Sequence, residues 1–186
     1  MITKEFEYKL KNAVTKLKKK ALSGDDLLKA LNNTPLMITY PQLVHYKSIY
    51  DILNINQPVI ILYETKLNFG HWCCLYINST LKNTISFFDS YGGKPDDQLK
   101  FIPEYFARVN NEDYPLLTLL LYKSGAKIEY NQYKLQRDGS DINTCGRHVI
   151  TRLQYPTIKV NDYNKILNSY HPLSPDDIVT LLTGYI

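Results

Sequence analysis

The chain has 186 residues, of which 44% are hydrophobic and 22% are charged, and its formal net charge is +4. This composition excludes a disordered or fibrous chain, and the length favours one domain with a sizeable core. Three cysteines, two of them adjacent, argue against a disulfide scaffold. Because the sequence opens with no signal-like segment and contains no membrane-length apolar run, we expect a soluble protein that is not secreted.

The first part of the chain, residues 1–56, is predicted to be helical. Apolar residues at helical spacing predict a helix over 3–22, and Ser23 begins a second, short one. The end of the first helix is basic, with Lys16, Lys18, Lys19 and Lys20. We interpret these lysines as a solvated helix end, with a nucleic-acid contact as the alternative.

Three strands are predicted next, over 57–63, 71–78 and 83–89. In an antiparallel pair closed near position 80, residues whose numbers sum to about 160 lie opposite each other. His71 and Asp89 satisfy this sum, so they are predicted to lie level on neighbouring strands and on the same face. A carboxylate beside an imidazole fixes its tautomer and stabilises the imidazolium. The alternative is an ordinary His–Asp pair on the solvent side of a hairpin.

The remaining elements complete a single predicted domain, 1–186, with a core over 57–153 and C-terminal helices over 154–186. In chain order we predict a helix from Asp96 to Phe106, a helix over 116–122, a strand over 127–135, and closing helices over 160–170 and 176–182. The strand over 127–135 is expected to deliver Gln136 to a polar loop.

That loop, 136–143, runs into a lone cysteine, Cys145, followed by an apolar periodic segment. Asn143 or Thr144 is expected to cap a helix that begins near Cys145. The helix dipole then favours a thiolate, and free backbone N–H groups point towards an anion beside the sulfur. The alternative is a small apolar cysteine at the start of a core helix.

Other chemistries have little support in the sequence. It contains no phosphate loop, no G-x-G-x-x-G and no C-x-x-C, so we expect no cofactor and no metal. Cys73 and Cys74 are interpreted as strand residues that point to opposite faces. His148 is the rival base to His71, but three residues after Cys145 it would point along the side of the helix, so we interpret it as structural.

Four pieces in this order resemble the adenovirus-type cysteine proteases: His71-Trp72, Phe88-Asp89-Ser90, Gln136 and Thr144-Cys145-Gly146. That superfamily also contains the proteases of ubiquitin-like proteins. The resemblance implies an α+β fold, in which a twisted, mainly antiparallel central sheet is flanked by helices and the cysteine starts a central helix.

The same resemblance implies the roles of the residues. Cys145 would be the nucleophile, His71 the general base and acid, and Asp89 the orienting carboxylate. Gln136 would donate to the oxyanion, with Gln132 as a lesser candidate because the loop before Cys145 is longer than in the family. Trp72 is expected to lie at the substrate site, where it would shield the histidine, unless it is simply a core residue.

Within the superfamily, the Phe-Phe-Asp-Ser-Tyr-Gly and Thr-Cys-Gly-Arg-His segments look most like the virophage and Polinton branch. This implies an endopeptidase that cleaves capsid and other virion precursors near small residues such as glycine, and we expect it to be a monomer. It would act in the virion and in cytoplasmic viral factories, and the resemblance allows a viral DNA or peptide activator. The alternatives are a protease or isopeptidase for a ubiquitin-like modifier, an acetyltransferase, and an inactive capsid- or DNA-binding protein.

Overall fold

The computed structural model describes residues 4–110 and 114–186, in which five strands form one sheet. The strands are β1 (Leu36–Thr39), β2 (Val59–Lys66), β3 (Phe69–Ile77), β4 (Thr84–Phe88) and β5 (Lys127–Tyr130). The helices are α1 (Lys4–Lys19), α2 (Gly24–Ala30), α3 (Glu104–Asn110), α4 (Leu116–Lys123), α5 (Cys145–Gln154), α6 (Val160–Ser169) and α7 (Pro175–Leu182). None of the helices in these ranges has the length and apolar character needed to cross a bilayer.

The sheet has the strand order β1-β2-β3-β4-β5. Its centre, β2-β3-β4, is antiparallel, and β1 and β5 pair in parallel with β2 and β4 at the two edges. The predicted α+β class, a mainly antiparallel central sheet flanked by helices, is confirmed. The edge strand β1 was not predicted, because four residues between Pro35 and Pro41 carry too short a pattern to indicate a strand.

The predicted register of the β3-β4 hairpin is wrong by two residues. Cys74 lies opposite Phe88 and Ile77 lies opposite Ile85, so the numbers of paired residues sum to 162. Extending this ladder by one residue places Asp89 opposite Cys73 and not opposite His71. A shift of two keeps every side chain on its face, so His71 becomes the diagonal neighbour of Asp89, still within reach of its side chain.

Both faces of the sheet are covered, which explains the nearly continuous apolar character of β2 and β3. Trp72, Cys74 and Tyr76 point to the side of α5, whereas Cys73 and Leu75 point to the side of α4. Cys73 and Cys74 are both fully buried, in different halves of the core. Each is a free thiol, as the opposite orientation of strand neighbours requires.

Helix α5 lies against β3, and two buried arginines join it to the rest of the chain. Arg147 donates to the carbonyl and hydroxyl of Thr183 at 2.9 and 2.8 Å, which holds the end of the chain against α5. Arg152 donates to the Tyr76 hydroxyl at 2.7 Å, and its guanidinium stacks between Tyr76 and Tyr163. A buried guanidinium is tolerated because hydrogen bonds and aromatic faces compensate its lost hydration.

Two further predicted elements are shorter than expected. The helix over 96–106 is divided into a 3₁₀ turn (Asp97–Phe101) and α3, because Pro103 between them lacks a backbone N–H. The strand over 127–135 ends at Tyr130, and an irregular segment continues from there towards Cys145.

Candidate active site

The structure brings His71 and Asp89 into direct contact. Nε2 of His71 lies 2.7 Å from Oδ1 of Asp89, a carboxylate that is fully buried directly after β4. Asp89 also accepts from the backbone N–H of Tyr91 at 2.8 Å and from Nε2 of Gln98 at 2.6 Å. Burial alone would raise the pKa of Asp89, but the hydrogen bond and charge of His71, with these two donors, hold it below its ordinary value.

Cys145 is the first residue of α5, and its half-buried side chain borders the same pocket as His71. Because Nε2 of His71 is engaged by Asp89, Nδ1 is the nitrogen that faces the sulfur. Burial would raise the pKa of the Cys145 thiol, but the hydrogen bond and positive charge of His71 lower it below its ordinary value. The backbone N–H groups of Trp72 and Gly146 also donate to the sulfur and lower this pKa further.

Burial and three neighbouring polar groups act in opposite directions on the pKa of His71. Burial would lower the pKa of His71, whereas Cys73, Asp89 and Cys145 raise it, and the result lies well above the ordinary value for histidine. Burial raises the pKa of Cys73 itself to about 12, so Cys73 is a neutral thiol at neutral pH. We therefore attribute the raised pKa of His71 to Asp89 and Cys145. A raised histidine pKa beside a lowered cysteine pKa favours a thiolate–imidazolium pair.

Tyr91 is a site residue that the sequence reasoning missed. Its ring stacks on His71, with centroids 4.8 Å apart and an interplanar angle of 25°, and its hydroxyl accepts from Nε2 of Gln136 at 3.0 Å. Tyr91 thus touches both the imidazole and the predicted oxyanion donor. Its place two residues after Asp89, within the Phe-Phe-Asp-Ser-Tyr-Gly segment, was the signal available in the sequence.

Gln136 is buried in the same pocket as His71 and Cys145, but the expectation that a strand delivers it is wrong. β5 ends six residues earlier, and Gln136 is held instead by Ser90. The Ser90 carbonyl accepts from the backbone N–H of Gln136 at 2.9 Å, and the Ser90 hydroxyl donates to Oε1 at 2.8 Å. The side-chain amide N–H groups reach the Tyr91 hydroxyl and, at the longer distance of 3.4 Å, the Ile142 carbonyl.

Gln132, the lesser candidate for the same role, is exposed and lies outside this pocket. Its position argues against a part in the site.

The expected side-chain cap of α5 is also absent among the described residues. Thr144 occupies the N-cap position, but its hydroxyl donates to Asp176 and does not accept from the N–H groups of the helix. The side chain of Asn143 donates to the carbonyl of Lys19 at 2.9 Å. The first-turn N–H groups are therefore left to face the sulfur of Cys145 and whatever binds beside it.

Hollows open on both sides of Cys145 and together form a cleft. One is bordered by His71, Tyr91, Gln136, Lys100, Lys134 and Ile142, and the other by Leu22, Gly24, Leu62, Asn68 and Trp72. Phe69, Gly70, Asn143 and Cys145 are common to both. Cys145 thus borders both hollows, an arrangement that suits an extended chain.

Trp72 lines the cleft, although most of its surface is buried against the core. Its indole N–H donates to the carbonyl of Leu22 at 3.3 Å. A Cβ atom on Gly146 would lie 3.0 Å from Leu27 and 3.5 Å from Trp72. Glycine after Cys145 therefore allows the first turn of α5 to sit tightly against α2 and the indole.

His148, the rival base, does not face Cys145. It is fully buried, and its Nε2 lies 3.1 Å from Oδ1 of Asp176, on the side of α5 that meets α7. The interpretation of His148 as structural agrees with this placement.

One group of side chains in the described residues has the donor atoms of a metal site: those of His71, Cys73 and Asp89 lie within 4.8 Å of one another. Nε2 of His71 and Oδ1 of Asp89 are already 2.7 Å apart and share a hydrogen bond. Nitrogen and oxygen ligands at about 2.0–2.2 Å from a tetrahedral zinc ion would be roughly 3.3 Å apart. The pair would have to separate and lose its proton, so the geometry suits a hydrogen bond between the two side chains better than an ion.

The fold is similar to that of a solved protease. A crystal structure of the ASFV pS273R protease matches 90% of this chain and 68% of its own, with a TM-score of 0.50 and 11% sequence identity. A second crystal structure of that protease matches with the same coverage and identity and a TM-score of 0.49. At this identity the likeness shows the fold alone.

No family profile matches the chain. Its family is shown instead by its similarity to a single curated protein. The uncharacterized protein V9 of Sputnik virophage is 40% identical over 168 residues, which cover 89% of this chain and 95% of V9. The chain therefore belongs to the same family as V9 of Sputnik virophage.

Proposed function

We propose that the whole chain is one cysteine protease domain with Cys145 as nucleophile, His71 as base and acid, and Asp89 as the orienting carboxylate. The observation that carries the proposal is the His71 ring, which contacts a buried carboxylate through Nε2 and also interacts with the helix-terminal sulfur of Cys145. A hydrolase that attacks through sulfur needs this order of three groups.

In the proposed reaction the Cys145 thiolate attacks the carbonyl carbon of a peptide bond and forms a tetrahedral intermediate. The imidazolium of His71 then gives its proton to the departing amine, and the C–N bond breaks to leave a thioester. Neutral His71 next takes a proton from water, whose oxygen attacks the thioester, and the released sulfur returns as the thiolate. Asp89 keeps the ring oriented and stabilises its positive charge throughout.

The negative oxygen of the intermediate would be met by two kinds of donor. The backbone N–H of Gly146, in the first turn of α5, lies beside the sulfur, and the Gln136 amide lies in the same pocket. The Gln136 N–H directed at the Ile142 carbonyl makes the longer of its two bonds, at 3.4 Å, so it is the one available to the oxyanion.

We propose that the substrates are capsid and other virion precursor proteins, cleaved near small residues such as glycine. Membership of a virophage protein family supports a viral role, and the two-sided cleft around Cys145 supports an extended protein substrate. Trp72, at the wall of the cleft, would contact the chain on one side of the cleaved bond.

The test uses purified full-length protein, mixed separately with candidate virion precursors and with a ubiquitin-like conjugate, and identifies products by mass spectrometry. We expect cleavage of the precursors and an activity loss on the order of 10⁴-fold or more for Cys145→Ala. Cys74→Ala is the matched control, because Cys74 is buried on the α5 side of the sheet and away from His71. Near-normal turnover in Cys145→Ala refutes the assignment of Cys145 as the nucleophile. Cleavage of the ubiquitin-like conjugate and of no virion precursor refutes the proposed substrate class.

A further inference from the structure

Asp176 connects the two segments that carry Gln136 and Cys145. It lies in the first turn of α7, fully buried, more than thirty residues beyond either segment by the numbering. Its Oδ2 accepts from the backbone N–H of Arg137 at 3.0 Å, and its Oδ1 accepts from the hydroxyl of Thr144. Arg137 directly follows Gln136, and Thr144 directly precedes Cys145, so one carboxylate ties both segments together.

The hydrogen bond to Thr144 also affects the start of α5. A threonine at the N-cap ordinarily accepts from the N–H groups of the first turn. Here Asp176 draws the hydroxyl away, so the Thr144 side chain does not occupy the N–H groups of the first turn. Asp176 thus keeps donors free at the place where a negative charge would develop.

A third contact fixes the carboxylate itself. Nε2 of His148 lies 3.1 Å from Oδ1 of Asp176, and Nδ1 of His148 is buried without a partner among the described residues. This favours the tautomer with its proton on Nε2. Burial would raise the pKa of Asp176, but the donors from His148, Thr144 and Arg137 lower it, so that the group is a carboxylate at neutral pH.

The start of α7 does not itself need Asp176. Ser174 and Asp177 form a capping box, with the Ser174 hydroxyl accepting from the Asp177 N–H and the Asp177 side chain accepting from the Ser174 N–H. Asp177 also pairs with Lys18 at 2.6 Å. Two adjacent carboxylates therefore have separate roles: Asp177 caps α7 and contacts α1, whereas Asp176 faces the segments around the site.

We propose that Asp176 is a positioning residue, which sets the spacing between Gln136 and the first turn of the Cys145 helix and so preorganises the oxyanion site. This proposal rests on the proposed protease function. Its physical basis is that the donors must be held close to their productive positions, and a displacement of about 1 Å costs on the order of 100-fold in rate.

The test compares Asp176→Asn with Asp177→Asn in the full-length protein. An asparagine at 176 has one acceptor atom in place of two, so it cannot serve both the Arg137 N–H and the donors from Thr144 and His148. We expect kcat, normalised to folded protein, to fall about 10- to 100-fold with little change in KM. Asp177→Asn should lower Tm through the lost Lys18 pair but leave kcat within about twofold.

A second readout needs no substrate: the rate of Cys145 alkylation by iodoacetamide as a function of pH. In Asp176→Asn the Thr144 hydroxyl is free to cap the helix, so the alkylation midpoint should rise by roughly half a unit or more. If the wild-type protein is alkylated at low pH but cleaves no substrate, the result argues against the proposed protease function and not against the role of Asp176. Equal kcat and equal midpoints in the two variants overturn the proposal for Asp176.

If Asp176→Asn does not fold, Thr144→Val provides a second test of the proposal. It removes only the hydroxyl that Asp176 binds, and we expect a smaller fall in kcat, about 3- to 10-fold. If a folded Thr144→Val variant has the kcat of the wild type, the hydrogen bond from Thr144 to Asp176 does not contribute to turnover, and this part of the proposal is overturned.

Discussion

His71 and Asp89 are held by a hairpin, whereas Cys145 and Gln136 are held by contacts from distant parts of the chain. β3 pairs with both β2 and β4, so the backbone at His71 and next to Asp89 belongs to a continuous ladder. The other half depends on side chains and backbone groups from α1, α7 and the turn after β4.

The difference has a physical consequence. Each half of the site can be disturbed without the other, because ladder hydrogen bonds between near neighbours form independently of the closing helices. The hairpin half should tolerate changes in the N- and C-terminal helices. The half with Cys145 and Gln136 should respond to changes at Asn143, Ser90 or Asp176, all of which contact it.

In the hairpin half, the largest loss of turnover is expected when His71 is substituted. His71→Ala should reduce turnover by on the order of 10³- to 10⁶-fold, as much as the loss of Cys145, because nucleophile and base act as a unit. Asp89→Asn should cost less, about 10²- to 10⁴-fold, because the carboxylate orients the ring and transfers no proton. Steady-state kinetics of the two variants measures this ordering, and wild-type activity in Asp89→Asn would show that the carboxylate has no role.

The other half is tested at Gln136, with a smaller expected effect. Gln136→Ala should lower turnover roughly 100- to 1,000-fold with little change in substrate binding, since one preorganised donor is lost. Gln136→Glu should be at least as harmful, because a carboxylate would repel both the Ile142 carbonyl and the oxyanion. Gln132→Ala is the control, since that side chain is exposed. A large loss in the control alone would mean that the exposed glutamine is the donor.

The smallest effect is expected at the end of α1, beside the loop that leads to Cys145. Lys18 is buried and paired with Asp177, which corrects the interpretation of all four lysines as solvated. Lys16, Lys19 and Lys20 remain exposed. If viral DNA is an activator, changing these three to Gln should weaken DNA binding and reduce its salt slope by roughly two to three, while cleavage without DNA is unchanged.

The control for this experiment carries the same three-charge change at the other end of the helix, at Lys4, Lys9 and Lys11, which are also exposed. Equal salt slopes of DNA binding in the two triple variants, measured by fluorescence anisotropy, would show that the end of α1 does not contact DNA.

The sequence by itself determined the local features of this protein. Hydrophobic periodicity predicted α1, α5 and the β3-β4 hairpin, and a turn-rich loop before an apolar run predicted that Cys145 starts a helix. It also predicted the pairing of His71 with Asp89, although the register was wrong by two residues. The error was harmless because side chains alternate with a period of two, so a shift of two preserves the face.

Only the tertiary structure decided how the second half of the site is held. Ser90 and Gln136 are far apart in sequence, as are Thr144 and Asp176, and no periodic pattern links such pairs. The sequence predicted a strand up to Gln136 and a side-chain cap on α5, and the structure has neither in the described residues. At both places a distant partner replaced the local one. The Ser90 carbonyl, in a turn, binds the loop at Gln136, and the buried carboxylate of Asp176 binds the Thr144 hydroxyl. These partners are stronger than the local ones, so they overruled local propensity.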